Sequence, residues 1–175
     1  MKSKSKNIYN KRVIFNIKPK DSDIEVPITS GGVILYRRNK ELELLLITNR
    51  GKYEDLGGRA DISDKNIYET VAREAYEESN NLINKKSILD RIKTSEYFIS
   101  KTAKYIVFII EANQEESKLL SEQFGNIEIH DNIPRIISWI PISEFLDTKT
   151  IKDKMNFRLK NRYIFEYLKS LKYPK

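Results

Sequence analysis

The sequence predicts an α/β fold in which a mixed β-sheet lies between helices. Three observations carry that prediction. Residues 30–48 read as two apolar strands joined by a tight turn. Residues 57–82 pass from a Gly-Gly loop into an amphipathic helix. A late apolar strand, 135–140, then runs into further helical patterning.

Taken in order, the chain of 175 residues fits one domain by length. Residues 1–25 read as a basic N-terminal arm and 26–175 as the folded domain. Lys2, Lys4 and Lys6 alternate with other polar residues in a tail too polar to pack. Residues 8–17 suit a short strand or arm, and 21–25 an acidic loop. The run S-G-G-V-I-L-Y-R-R, 30–38, is a buried strand that turns at Asn39-Lys40 and returns over 42–48. The following helix has Asn66 as N-cap and Glu69 three residues on, a capping box. Ile67, Tyr68, Val71, Ala72 and Ala75 recur at helical spacing and form its apolar face. Residues 88–100 and 103–111 read as β-rich, and 114–132 as a polar loop with room for a short helix. Strand 135–140 carries Trp139, and Ser143 is the expected cap of the helix begun by P-I-S-E-F-L. A final amphipathic helix over 152–171 is expected to pack through Phe157, Ile164, Phe165 and Leu168.

Composition removes several classes of function. With no cysteine there is no disulfide framework and no thiol nucleophile. His130 is the single histidine, which disfavours Ser-His and Cys-His hydrolases. The longest wholly apolar run, 105–110, is far too short to span a bilayer, and the basic N-terminus lacks the apolar stretch of a secretory signal. The cytoplasm is the expected compartment. A net charge of +7 favours a polyanionic partner, nucleotide phosphates or RNA, although no DNA-specific motif is present. The pattern sets no oligomeric state.

The chemistry concentrates on the central helix. Glu74, Glu77 and Glu78 stand at i, i+3 and i+4, so three like charges share one arc. Such a trio is most easily kept with a cation among its members, and hard carboxylate oxygens suit Mg²⁺ or Mn²⁺. With the preceding loop the stretch resembles the signature of Nudix (MutT-like) hydrolases, G-x5-E-x7-R-E-U-x-E-E-x-G-U with U aliphatic. Gly58 takes the first glycine, Arg73-Glu74 the Arg-Glu, Ala75 the aliphatic place and Glu77-Glu78 the glutamate pair. Asp64 stands where the first glutamate belongs, and eight residues rather than seven separate it from Arg73. Asn80 replaces the late glycine, and Asn is the other residue that accepts a left-handed helix end. Asn81 fills the final aliphatic place, with Leu82 one step later. The strands over 30–48 and the run W-I-P-I-S-E-F-L are also similar to those that flank the family's core.

The resemblance implies an α/β/α sandwich and Mg²⁺- or Mn²⁺-dependent hydrolysis of a phosphoanhydride in a nucleoside diphosphate linked to another group. It implies metal ligation by Glu74, Glu77, Glu78 and a backbone carbonyl of the Gly-Gly loop, at Gly57 or Gly58. Catalysis would fall to Glu77 and Glu78, with Arg73 orienting the carboxylates. Arg50, Lys52 and Arg59 flank the site as candidates to grip phosphates. Tyr53, Tyr97 and Phe98 are candidates to stack on a base. The general base is open between Glu77, Glu78 and a carboxylate of the later loop, Glu122, Glu128 or Asp131. Small nucleotides are the first expected substrates and capped RNA, held on the basic surface, the alternative. A catalytically retired binding module is disfavoured by the intact glutamate trio.

Overall fold

The computed structural model describes residues 12–145 and 148–172, excluding the side chains of residues 148, 152 and 172. Lys2, Lys4 and Lys6 therefore lie outside the described residues. The architecture is mixed α/β. A short ribbon pairs β1 (Phe15–Ile17) with β2 (Val26–Ile28) antiparallel. The main sheet contains β3 (Ser30–Arg38), β4 (Leu42–Asn49), β5 (Lys52–Glu54) and β6 (Leu56–Arg59). Two helices follow, α1 (Ile67–Glu78) and α2 (Lys85–Ile92). β7 (Glu96–Ser100) and β8 (Tyr105–Glu111) rejoin the sheet, and β9 (Ile127–Glu128) and β10 (Ile133–Pro134) form a small hairpin. β11 (Ile136–Pro141) precedes α3 (Thr148–Lys154) and α4 (Arg162–Lys172).

The sheet runs β11-β4-β3-β8-β7, with β5 continuing off β4 and β6 paired to β3. β3 and β8 are parallel, with Gly31 opposite Ile106, and the other pairs are antiparallel. The sheet is therefore mixed. β3 and β8 are its centre, and their unbroken apolar runs are what a strand covered on both faces requires. On one face Val33, Leu35, Ile106 and Phe108 pack with Val71, Ala72 and Ala75 of α1 and Ile88 and Ile92 of α2. On the other, Ile34, Leu44, Leu46 and Val107 pack with Phe145, Leu159, Ile164, Phe165 and Leu168. Each such fully buried side chain contributes about 2 kcal/mol relative to exposure. The indole of Trp139 sits under the Arg37 guanidinium and donates to the Leu119 carbonyl at 2.9 Å, tying β11 to the polar segment that precedes it.

Several elements depart from their sequence pattern. The first part of the segment read as β-rich, 88–92, is helical and belongs to α2: Asn84 caps that helix by accepting from the Ser87 amide, and Ile88 and Ile92 point inward one turn apart. The loop over 114–132 contains two 3₁₀ turns, Glu116–Lys118 and Ser121–Phe124, as well as β9. Ser143 lies inside a 3₁₀ turn, Ile142–Phe145, and is not a cap. The expected single C-terminal helix is broken into α3, a 3₁₀ turn Phe157–Leu159 and α4. Asn156 caps the turn, and Asn161 accepts from the Tyr163 amide at the start of α4. That break leaves Ile164, Phe165 and Leu168 buried as expected but turns Phe157 outward, where it is 70% exposed.

The central helix is set at both ends. Asn66, extended at φ −161°, accepts from the Glu69 amide at 3.0 Å. Glu69 reaches back to the Lys65 amide, one residue earlier than a standard capping box. At the other end Asn80 and Asn81 both have positive φ, 55° and 68°. The Asn81 amide bonds the Tyr76 carbonyl and the Asn80 amide that of Glu77, a Schellman closure.

Candidate active site

Gly57 and Gly58, expected in a loop, lie within β6, paired with Gly32 and Gly31 of β3, and α1 packs against that strand. The glycines are required by close approach. A Cβ on Gly57 would overlap the Tyr105 hydroxyl and the Gly31 carbonyl, and one on Gly58 would overlap the Glu74 carboxylate. Glu78 accepts from the Gly57 amide at 2.5 Å, so both glycines touch a carboxylate of α1.

Arg73 gathers the remaining acids. Its Nε and Nη2 donate to the two oxygens of Asp64 at 3.1 and 3.0 Å. Nη1 donates to Glu74 Oε1 and Glu77 Oε2, both at 2.9 Å, and Nη2 also reaches the Arg59 carbonyl at 2.8 Å. All five N–H groups of a guanidinium are thus used on the protein. Arg73 is by this geometry a positioning residue with no donor left for a substrate. Burial works against its charge, yet Asp64, Glu74 and Glu77 outweigh it and hold its pKa above the ordinary value.

Asp64 has a defined role. Its side chain is almost fully buried and also accepts from Thr70 Oγ1 and the Asp61 amide, both at 2.9 Å. Burial opposes its ionisation, but the bonds from Arg73, Asp61 and Thr70 prevail and lower its pKa. Asp64, separated from Arg73 by eight intervening residues, is thus bonded to it through both carboxylate oxygens.

The glutamates behave differently. Desolvation pushes the Glu74 carboxyl up to about 7, reinforced by Glu77 and Glu128 and opposed by Arg73. Burial, with Glu74 and Asp55 nearby, raises Glu78 well above the carboxylate range despite Arg158. Between pH 4.5 and 7 the folded protein then binds more protons at Glu74 than the unfolded chain, so stability falls as pH rises through that window. Asp64, shifted the other way, loses its contribution only in strong acid. Metal-free protein in EDTA should melt several degrees higher at pH 5 than at pH 8. A flat profile across that range would contradict the assigned environment of Glu74.

The later loop is brought to the same place. Asn80 Nδ2 donates to the Phe124 and Ile127 carbonyls at 2.8 and 2.9 Å, and its Oδ1 accepts from the Ile129 amide at 2.9 Å. This clamp sets buried Glu128 in the field of Glu74 and Glu77. Desolvation and Asp131 raise the Glu128 pKa. Glu122 and Asp131 are exposed, and His130 contacts Asn81 at 3.2 Å. Asn80→Ala should remove three hydrogen bonds and strain the left-handed backbone, costing about 2 kcal/mol. Hydrogen exchange at the Ile129 amide should accelerate in that variant, and unaltered protection there would refute the clamp.

The other sequence candidates divide. Arg59 lines a cleft of about 340 Å³ that opens beside Gly58. Arg50 is exposed at the β4–β5 turn with φ 48°. Lys52 donates to the Asp153 carbonyl. Tyr53 donates to Glu144 at 3.0 Å with its ring edge-on to Phe145, on the sheet face away from α1. Tyr97 packs on Phe108 and Phe98 on Tyr167, so both serve packing.

A second buried cluster had no sequence signal beyond the Asp that precedes Leu56-Gly57. Asp55, fully buried, accepts from the Tyr105 hydroxyl at 2.6 Å and from Arg158 Nε at 3.0 Å. Arg158 lies 4.8 Å from the Tyr105 ring centroid and donates to the Gly57 carbonyl at 3.3 Å. Arg135, also buried, donates to the Glu78 carbonyl and leaves its Nε without a partner.

Carboxylate oxygens are the donor type that a hard divalent cation takes. Glu74, Glu77 and Glu78 each use one oxygen on a protein donor, leaving the other without a hydrogen bond among the described residues. Gly58, lacking a Cβ, lets backbone reach them. Among the described residues no three acids or histidines form a closed coordination sphere, since Glu74 and Glu77 turn toward Arg73. No helix among the described residues is long and apolar enough to cross a membrane. No protein-family model matches the chain, and no curated protein matches it.

Proposed function

We propose that this chain is a Nudix-type hydrolase that, with Mg²⁺ or Mn²⁺, cleaves a phosphoanhydride in a nucleoside diphosphate linked to another group. One observation carries the reading: α1 sets Glu78 on the Gly57 amide and Glu74 against Gly58, while Arg73, itself held by Asp64, binds Glu74 and Glu77. A mixed sheet between helices is also what the resemblance implies.

Glu74, Glu77, Glu78 and the Gly58 backbone would hold the cation. When bound, it would neutralise the diphosphate oxygens and lower the pKa of an attacking water. Arg73 keeps Glu74 and Glu77 from splaying apart, and the Gly57 amide holds Glu78. Arg59, with no ion-pair partner among the described residues, draws phosphate to the rim of the cleft. Glu128, desolvated and held by the Asn80 clamp, would be the later-loop carboxylate that serves as general base.

Capped RNA is the second reading, favoured because Arg12, at the first described position, lines the cleft. The test is a panel of nucleotide derivatives and a cap-labelled RNA with Mg²⁺, Mn²⁺ or EDTA. Turnover of at least one nucleotide is expected with metal and none in EDTA. Turnover unaffected by chelation would end the assignment. Deleting residues 1–6 should leave the nucleotide KM unchanged. A salt-dependent rise in the RNA KM alone would move decapping first.

A further inference from the structure

The cleft beside Gly58 holds more than the phosphate contact given to Arg59. Arg12 and Arg59 both face it and form no ion pair among the described residues, whereas half-buried Arg73, Arg91 and Arg158 are each paired with an acid. Phe157 also lines it, with 70% of its surface exposed.

That exposure is enforced by the turn that carries the ring. Asn156 donates its amide to the Tyr53 carbonyl at 2.9 Å and its side-chain nitrogen to Glu54 at 3.1 Å. Met155 before it and Leu159 after it are buried, and Arg158 is pinned to Asp55. Every neighbour is anchored inward, so Phe157 is presented outward at the edge of the cleft. An aromatic face held rigid in water beside two uncommitted guanidiniums complements a ligand that is planar at one end and polyanionic at the other. Gly58 also lines the cleft, and a Cβ there would overlap the Glu74 carboxylate. A phosphate chain that leaves the cleft past Gly58 meets the glutamates.

We infer that this cleft seats the nucleoside end of the substrate, with the base stacked on Phe157 and the phosphates running past Arg12 and Arg59 toward Gly58. The inference rests on the hydrolase reading for its direction, but it makes its own demand on binding. It names a specificity-determining residue, Phe157, for recognition of an aromatic base.

The experiment is equilibrium binding of ADP, UDP and inorganic pyrophosphate to the full chain in EDTA, where the hydrolase reading allows no turnover. Phe157→Ala should weaken ADP and UDP about tenfold, as loss of one base-stacking contact does, and leave pyrophosphate unchanged. Phe157→Tyr should retain affinity, and Arg59→Gln should weaken all three. The melting temperature of Phe157→Ala should match wild type, because the side chain supports no packing. Failure of ADP to bind the wild type would overturn the inference. So would an unchanged ADP affinity in Phe157→Ala, or equal weakening of pyrophosphate. Selective weakening without hydrolysis of any nucleotide keeps the cleft and discards the hydrolase. Hydrolysis whose KM ignores Phe157 does the reverse.

Discussion

Glu78→Gln should lose about a thousandfold in turnover, the several kcal/mol that a cation-held carboxylate provides to the transition state, while its melting temperature stays level or rises. The two outcomes come from the same environment. A glutamine carbonyl can still accept the Gly57 amide, so that contact survives. The substitution removes a charge that burial and Glu74 already disfavour. Activity falls while stability does not, the behaviour of a group kept for function at the expense of the fold. Glu77→Gln should be nearly as inactive, with a small loss of stability because one Arg73 bond weakens. Calorimetry and kcat/KM on the same preparations decide the point. If both variants turn over substrate at the wild-type rate, the metal is held elsewhere.

Arg73→Ala should do the opposite in emphasis, with a large loss of stability first. It would leave the Asp64 carboxylate, with 3% of its side chain exposed, in the interior without its counter-ion. Breaking such a pair from one side costs about 3–5 kcal/mol, or roughly 10 °C in a protein of this size. Arg73→Lys should recover only part, because an ammonium cannot span Asp64, Glu74 and Glu77 at once. Removing both charges with Arg73→Met and Asp64→Asn should cost less than the sum of the single changes. A melting temperature unchanged in Arg73→Ala, with turnover abolished, would make Arg73 a direct participant.

What could be read in the sequence was local. The strands at 30–38 and 42–48, the Asn66 cap and the buried face of α1 each depend on residues within a turn or two. Asn80 could be read as a left-handed helix end for the same reason, and its φ of 55° bears that out. Its second duty as a clamp on the loop at 124–129 depends on a tertiary fold and has no local sign. Residues 88–92 misled because two buried isoleucines in an otherwise charged stretch are too few to set a period. Phe157 misled for the converse reason: the helical period runs on through it, while Asn156 and Asn161 end the helices on either side. Tyr53 and Lys52 stand near the glycine pair in sequence, but β5 carries them to the sheet's other side. The Asp55, Tyr105 and Arg158 cluster joins positions 50 and 103 residues apart, a span no spacing rule reaches.

The reach of Arg158 also sets an order of assembly. The carboxylates and the glycine segment are all made in the first half of the chain, whereas the guanidinium that neutralises Asp55 and holds the Gly57 carbonyl follows α3. A nascent chain can lay down β3, β4 and α1 early, but until position 158 emerges it carries a buried acid with no counter-ion behind the very segment that faces the glutamates. A product cut short before that point would keep most strands of the sheet and lack the hold on Gly57. Arg158 is in this way a late-made support of the Gly57–Gly58 segment.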